Sequence, residues 1–172
     1  MNINNLQTED ECYPLVDEQG QVVGKATRSE CHGGAKPLHP VVHLHVFNSR
    51  GELYLQKRPM YKDIQPGKWD TSVGGHVDYG ETTIEALRRE TAEELGITDF
   101  TPEPIAEYIF ESEIEKEFVH SFKTTYDGAI APAPDELDGG RFWTLDEVRQ
   151  HIKTDTFTPN FANEFERFIA PD

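Results

Sequence analysis

Cysteine is scarce. The 172 residues hold two, Cys12 and Cys31, and they form no CxxC pair. That argues against a disulfide framework and predicts a reducing compartment, the cytoplasm. Long apolar runs are missing as well. None approaches the roughly 20 residues that cross a bilayer, and the opening MNINNLQTEDECYPLV has neither the basic nor the apolar region of a secretory signal. Positive charge is the third shortage: 16 Lys and Arg face 32 Asp and Glu, a formal net charge of -16. A duplex nucleic-acid binder needs the opposite sign on its contact face, and an anionic membrane repels such a chain, so neither partner is expected. There is no internal repeat and no low-complexity tract. The length fits one domain with one core. Residues 1–12 read as a loosely ordered N-terminus and residues 13–172 as the domain. The surplus of acid has two readings. Most of it is solvated surface, and part of it is a candidate cluster of carboxylates for a hard cation.

Local patterns predict the elements. Tyr13–Val16 and Gln21–Lys25 read as strands around the turn Asp17–Gly20. Cys31–Pro40, with two glycines and two prolines, reads as a loop. Val41–Phe47 and Leu53–Lys57 read as a hairpin around Asn48–Gly51, with Val42, Leu44 and Val46 on one face and His43 and His45 on the other. Pro59–Lys68 is a long loop. Thr82 with Glu85 has capping-box spacing and Gly96 is a C-terminal stop, so a helix is predicted to Leu95, with Ile84, Leu87, Thr91 and Leu95 as its apolar stripe. Strands follow at Ile105–Phe110 and Phe118–Tyr126, then a Pro- and acid-rich connection Ala129–Gly140 and a short strand Arg141–Trp143. Thr144 with Glu147 opens another helix, and Pro159 starts a last one carrying Phe161, Phe165, Phe168 and Ile169 on one side. Strands before, around and after one strong helix imply a mixed α/β sandwich with helices on both sheet faces.

The chemistry concentrates in Gly75–Ile97, GHVDYGETTIEALRRETAEELGI. Glu90, Glu93 and Glu94 stand at i, i+3 and i+4, which puts three carboxylates on one helix face, expected to look toward solvent. Arg89 is placed to pair with Glu93. Such a face is either an ordinary charged surface or a site for Mg²⁺ or Mn²⁺, whose octahedral oxygen coordination also suits substrate phosphates.

The segment resembles the Nudix box, G-x5-E-x7-R-E-U-x-E-E-x-G-U with U a bulky aliphatic. Gly75, Glu81, Arg89, Glu90, Glu93, Glu94, Gly96 and Ile97 fall in register, and Thr91 is the one departure. Seven fixed identities at roughly one in fifteen each would match by chance at about 10⁻⁸ per frame. The resemblance implies a Nudix fold, an α/β/α sandwich with a mixed sheet. It also implies a metal-dependent hydrolase that cleaves a phosphoanhydride bond of a nucleoside diphosphate linked to another moiety, or of a related diphosphate. Carried over residue by residue, Glu90, Glu93, Glu94 and the backbone carbonyl of Gly75 hold Mg²⁺ or Mn²⁺. Arg89 holds the glutamates, and Glu81 braces the loop–helix junction. Glu93 or Glu94 is the first candidate for general base, and Glu136 the alternative.

A second resemblance, over Val41 to Gly96, is to the isopentenyl-diphosphate isomerase branch of the same superfamily. Its Arg-x3-Lys, Pro-Gly-x-Trp and Gly-His elements match Arg58 and Lys62, Pro66-Gly67-Lys68-Trp69, and Gly75-His76. The match implies that Arg58 and Lys62 grip diphosphate oxygens. It also implies a second, transition-metal site from His32, His39, His76, Glu115 and Glu117. The isomerase needs a catalytic Cys immediately before its Gly-His. Here that position is Gly74, which ranks hydrolysis over isomerisation. A non-catalytic, nucleotide-binding regulatory module is the remaining rival, disfavoured because no box glutamate is lost. The expected partner is a small-molecule diphosphate, and a homodimer is compatible with the reading.

Overall fold

The computed structural model describes residues 11–62 and 65–170. The expectation for residues 1–12 therefore falls almost wholly outside the described residues, while Cys12 opens the first strand. An antiparallel hairpin pairs Cys12–Val16 (β1) with Val22–Thr27 (β2). Thr27 and Glu30 then form a capping box that starts a single turn of helix, Arg28–Cys31 (α1). This corrects the start of the predicted loop. A capping box without an apolar repeat behind it was too short a signal to read as a helix.

Leu38–Phe47 (β3) is the spine of the molecule. It begins three residues before the predicted start because Lys116–Thr125 (β8) runs parallel to it along its whole length, from Leu38↔Lys116 to Phe47↔Thr125. A strand has two hydrogen-bonding edges. With one given to β8, the other is divided between Val73–His76 (β6), which pairs antiparallel with Val41–Leu44, and Leu53–Lys57 (β4), which meets β3 at Phe47. Ser72 fills the division between them: its hydroxyl accepts from Val46 N at 2.9 Å and donates to the Tyr54 carbonyl. Trp69–Asp70 (β5) and Gly140–Trp143 (β9) border β4, and Glu103–Glu111 (β7) closes the far edge on β8. The groove described below opens where β3, β4 and β6 part.

Alternation along β3 supplies both faces of the sheet. Val42, Leu44 and Val46 bury against Ala86, Leu87 and Leu95 of the long helix Thr83–Leu95 (α2). Thr82 and Gly96 cap this helix as the spacing predicts. Its inner face is rotated from the predicted stripe: Ile84 is 41% exposed, while Ala86, Leu87, Thr91, Glu94 and Leu95 are buried. Thr91, at the position where the box wants an aliphatic, satisfies its hydroxyl by donating to the Leu87 carbonyl at 2.6 Å. On the opposite face Leu53, Leu55, Trp143, Val148, Phe157, Phe161 and Phe165 form a second core. It packs under Leu145–His151 (α3) and Pro159–Glu164 (α4), the latter continuing through wider turns to Ile169. The result is the α/β/α sandwich with a mixed sheet. No helix among the described residues is long and apolar enough to cross a membrane.

Candidate active site

Helix α2 lies close over β6, and glycine permits it. A Cβ on Gly75 would stand 2.2 Å from Glu90 Cδ. Arg89 then ties helix and loop together. Its Nε and Nη2 donate to the two oxygens of Glu81 at 2.8 and 2.9 Å, its Nη1 to Glu90 at 2.7 Å, and its Nη2 also to the His76 carbonyl at 3.1 Å. Glu81 accepts in addition from Asp78 N at 3.0 Å. The two-pronged carboxylate–guanidinium geometry holds the Arg89 charge firmly and keeps the Glu81 carboxyl below the usual range. Glu93 lies 3.5 Å from Arg89 and is half exposed.

The three glutamates share a face but not an environment. The expectation that Glu94 looks toward solvent is wrong: it is 5% exposed. It sits on the inner edge of α2, where Gln56 Nε2 of β4 donates to its Oε1 at 2.9 Å. Its Oε2 is buried with no hydrogen-bond partner among the described residues. Burial and the neighbouring Glu90 charge push the Glu94 carboxyl well above its ordinary range. Burial raises Glu90 too, against the opposing pull of Arg89. Two neighbouring carboxylates, Glu94 buried with an orphaned oxygen and Glu90 partly buried, are costly unless a cation or a proton compensates them. The donor set is all oxygen and fits Mg²⁺ or Mn²⁺. Arg58, Lys62 and Glu136 line the same cleft of about 530 Å³ as Gly75, Glu90, Glu93 and Glu94. Arg58 Nη1 also lies 3.7 Å from Asp70.

Four of the five residues of the second cluster come together. His32, His39, His76 and Glu115 present ligand atoms all within 4.8 Å of one another. Their Nε2 atoms converge on Glu115 Oε2 at 2.8, 3.2 and 3.5 Å respectively. His39 Nδ1 lies 2.9 Å from the Pro37 carbonyl, which directs Nε2 inward, the arrangement common among metal-bound histidines. Imidazole nitrogens with a carboxylate oxygen suit a transition metal. Despite burial, hydrogen bonds from His39 and His76 hold Glu115 well below the usual carboxylate range. Glu117 is not in this cluster. It lies next to it on β8, opposite His39, buried and pushed up to about 7 by that burial and by the Glu115 charge. Glu115 itself ends the turn that leads into β8, and its carboxyl lies close enough to that of Glu117 to act on it.

Several residues of the site went unread in the sequence. Tyr13 stacks on His76 at 4.5 Å and on His39 at 5.9 Å, so the N-terminal hairpin closes one side of the cluster; no motif marked it. Gln56 carried no signal beyond its place on a strand. Glu164 did carry one, as a lone acid at helical spacing among Phe161, Phe165 and Phe168. It is buried, 2.8 Å from His43 Nδ1 and 3.3 Å from His45 Nε2. Burial lowers the His43 imidazole, but the Glu164 charge and hydrogen bond overcome it and push it up to about 9. Trp69 packs edge-on against Trp143 at 5.2 Å, and Trp143 belongs to the core.

Known proteins agree with this geometry. The model of the NUDIX domain matches residues 37–165, so the chain belongs to the Nudix family. Over 150 residues it is 31% identical to a Yersinia pestis protein described as an uncharacterized Nudix hydrolase, covering 87% of this chain and 81% of that one. Over 158 residues it is 30% identical to an isopentenyl-diphosphate Delta-isomerase of Streptomyces coelicolor, covering 86% and 78%. A crystal structure from Deinococcus radiodurans superposes with a TM-score of 0.77 at 28% identity, over 91% of this chain and 98% of that one. A MutT protein from Methanosarcina mazei does so with 0.66 at 27%, over 78% and 95%.

Proposed function

We propose that the chain is a single-domain, cytoplasmic, divalent-metal-dependent hydrolase that cleaves the phosphoanhydride bond of a nucleoside diphosphate linked to another moiety, or of a related diphosphate. The observation that carries this reading is the partly buried Glu90 beside the buried Glu94, with its unpartnered oxygen, at the wall of a cleft that also contains Arg58 and Lys62. Glu90, Glu93, Glu94 and the Gly75 carbonyl hold Mg²⁺ or Mn²⁺. The bound cation supplies charge neutralisation for the diphosphate and a lower pKa for water. Arg89 and Glu81 keep the helix and the Gly75 loop in register. Arg58 and Lys62 bind phosphate oxygens. Glu93, the half-exposed member of the trio, is the better placed to take a proton from the attacking water, and Glu94 is the better buried ligand. Glu136, which lines the same cleft, is the alternative base, and separate Glu93→Gln and Glu136→Gln variants distinguish the two by which one lowers kcat the more.

His32, His39, His76 and Glu115, with Glu117 beside them, form a second site for Mn²⁺, Zn²⁺ or Fe²⁺. The relatives named as isomerases keep isomerisation as a second reading. Gly74 opposes it, since proton addition and removal across an alkene need two opposed groups. The test is a screen of purified protein with Mg²⁺ or Mn²⁺ against nucleotide sugars, dinucleoside polyphosphates, ADP-ribose, NADH, CoA and prenyl diphosphates. Metal-dependent phosphate or nucleotide release from at least one of these supports the reading. Deuterium incorporation into the allylic product of isopentenyl diphosphate in heavy water, with no hydrolysis, overturns it.

A further inference from the structure

Beyond the glutamates the cleft continues into a side arm of about 210 Å³, reached past Gln56, Gly74 and Gly75. Polar side chains predominate in its lining, among them His43, Asp70, Thr71, Glu117 and Asn160, with Val41 as the aliphatic member and with Glu94 and His76 where the arm meets the metal sites. His43 sits on β3 directly opposite Gly74 of β6. Its Nδ1 is committed to Glu164 at 2.8 Å, which leaves Nε2 as the ring nitrogen turned to the arm. A Cβ at Gly74 would stand 3.6 Å from His43 Cδ2 and 4.0 Å from Nε2, so the glycine leaves that edge of the ring uncovered. Thr71 is 3% exposed and its hydroxyl has no hydrogen-bond partner among the described residues. Asp70 Oδ1 is taken by Thr158 at 2.9 Å and Thr71 N at 2.8 Å, and Glu117 accepts a long bond from Asn160 at 3.4 Å.

We propose that His43, positioned by Glu164, contacts the non-phosphate part of the substrate in this arm, and that this part is a hydroxylated group rather than a hydrocarbon chain. A hydroxyl both donates and accepts. It can therefore pair with His43 Nε2, accepting from the charged ring or donating to the neutral one, while its other half pairs with Glu117 or the Thr71 hydroxyl, which no apolar group can do. A hydrocarbon chain in the arm would strip water from a carboxylate, an imidazole and a hydroxyl and return no hydrogen bond. The contact rests on the reading of the cleft as a diphosphate site, but its test does not depend on turnover.

The test is calorimetric titration of the full chain with ADP-ribose, inorganic pyrophosphate and dimethylallyl diphosphate, with Ca²⁺ in place of Mg²⁺ to slow hydrolysis. Wild type should bind ADP-ribose more tightly than dimethylallyl diphosphate. His43→Gln and Glu164→Gln should each weaken ADP-ribose about tenfold or more, the loss expected for a charged hydrogen bond, while pyrophosphate affinity stays within about twofold. A merely structural role would move both probes together. Imidazole NMR of the wild type covers the case in which a variant fails to fold: the His43 resonances should shift with ADP-ribose and not with pyrophosphate. Equal losses on both probes, no loss, no binding of ADP-ribose or a preference for the prenyl probe each overturn the proposal. The binding pattern without any hydrolysis in Mg²⁺ would instead refute the hydrolase reading and leave this contact standing.

Discussion

Replacing Glu94 by Gln should raise stability and destroy activity together, and the reason is its burial. Glu94 is 5% exposed, lies beside Glu90 and has one orphaned oxygen. Gln is nearly isosteric and its carbonyl can keep the 2.9 Å hydrogen bond from Gln56. Without metal, the change removes a buried charge whose net cost in proteins is several kcal/mol per ion before compensation. A gain on the order of 1 kcal/mol, or about 2–4 °C in Tm for a domain of this size, is expected. The sign follows from the raised Glu94 carboxyl. Wild-type stability is fully present below the ordinary carboxylate range and declines as the pH rises through the folded value, so the advantage of Gln grows with pH. With Mg²⁺ the order reverses. Saturation at about 100 times Kd stabilises wild type by about 2.7 kcal/mol, and the variant should lose most of that. Turnover should fall by about 10²–10³-fold, or roughly 3–4 kcal/mol. The assay is thermal melting in EDTA and in Mg²⁺ from pH 5 to 9. A variant that melts several degrees below wild type in EDTA, or one that keeps the full Mg²⁺ shift, would refute the reasoning.

Protein purified without a His-tag or chelator should carry a tightly held transition metal. His32→Ala combined with His76→Ala should release it, and an unchanged metal content in that double variant would reduce the cluster to an ion-paired loop. Gly75→Ala should cost about 1–3 kcal/mol by overpacking, because its Cβ would meet Glu90 Cδ at 2.2 Å; an unshifted melting curve would contradict the close approach of helix and strand. The His43–Glu164 pair should support the fold over a defined pH window. The depressed Glu164 carboxyl contributes above its unfolded value, near 4.3, and the contribution is lost as the pH falls through the folded one. His43 contributes below about 6.5 and loses its contribution as the pH rises through about 9. The Tm gap between wild type and His43→Gln/Glu164→Gln should therefore be widest near pH 5–6 and narrow toward pH 10, and a flat gap would refute the pairing.

How much was legible in the sequence depended on whether the determinant was local. Capping boxes at Thr82 and Thr144, the stop at Gly96 and the two-residue alternation of β3 act within a few residues, and the structure follows them. The Nudix box marked the candidate site for the same reason. What escaped was decided by partners distant in the chain. The start of β3 at Leu38 is set by β8. Ile84 is exposed and Glu94 buried because α2 turns its glutamate edge, not only its apolar stripe, onto Gln56 and β6. Glu115 joins the histidine cluster while Glu117 stands beside it because a turn ends at Glu115 before β8 begins. Tyr13 reaches the histidine cluster through a hairpin whose docking no local pattern encodes.

The central claim is that the box glutamates serve a metal-assisted attack of water on a phosphoanhydride. It is tested most directly by incubating the protein with a hydrolysed diphosphate and Mg²⁺ in ¹⁸O-water and reading the products by mass spectrometry, for wild type and for Glu90→Gln/Glu94→Gln. The account predicts one ¹⁸O in a phosphate product of the wild type, abolished by EDTA and lost in a double variant that remains folded. Label incorporation that persists undiminished in the folded double variant, or unlabelled isomerised diphosphate as the sole product, would contradict it.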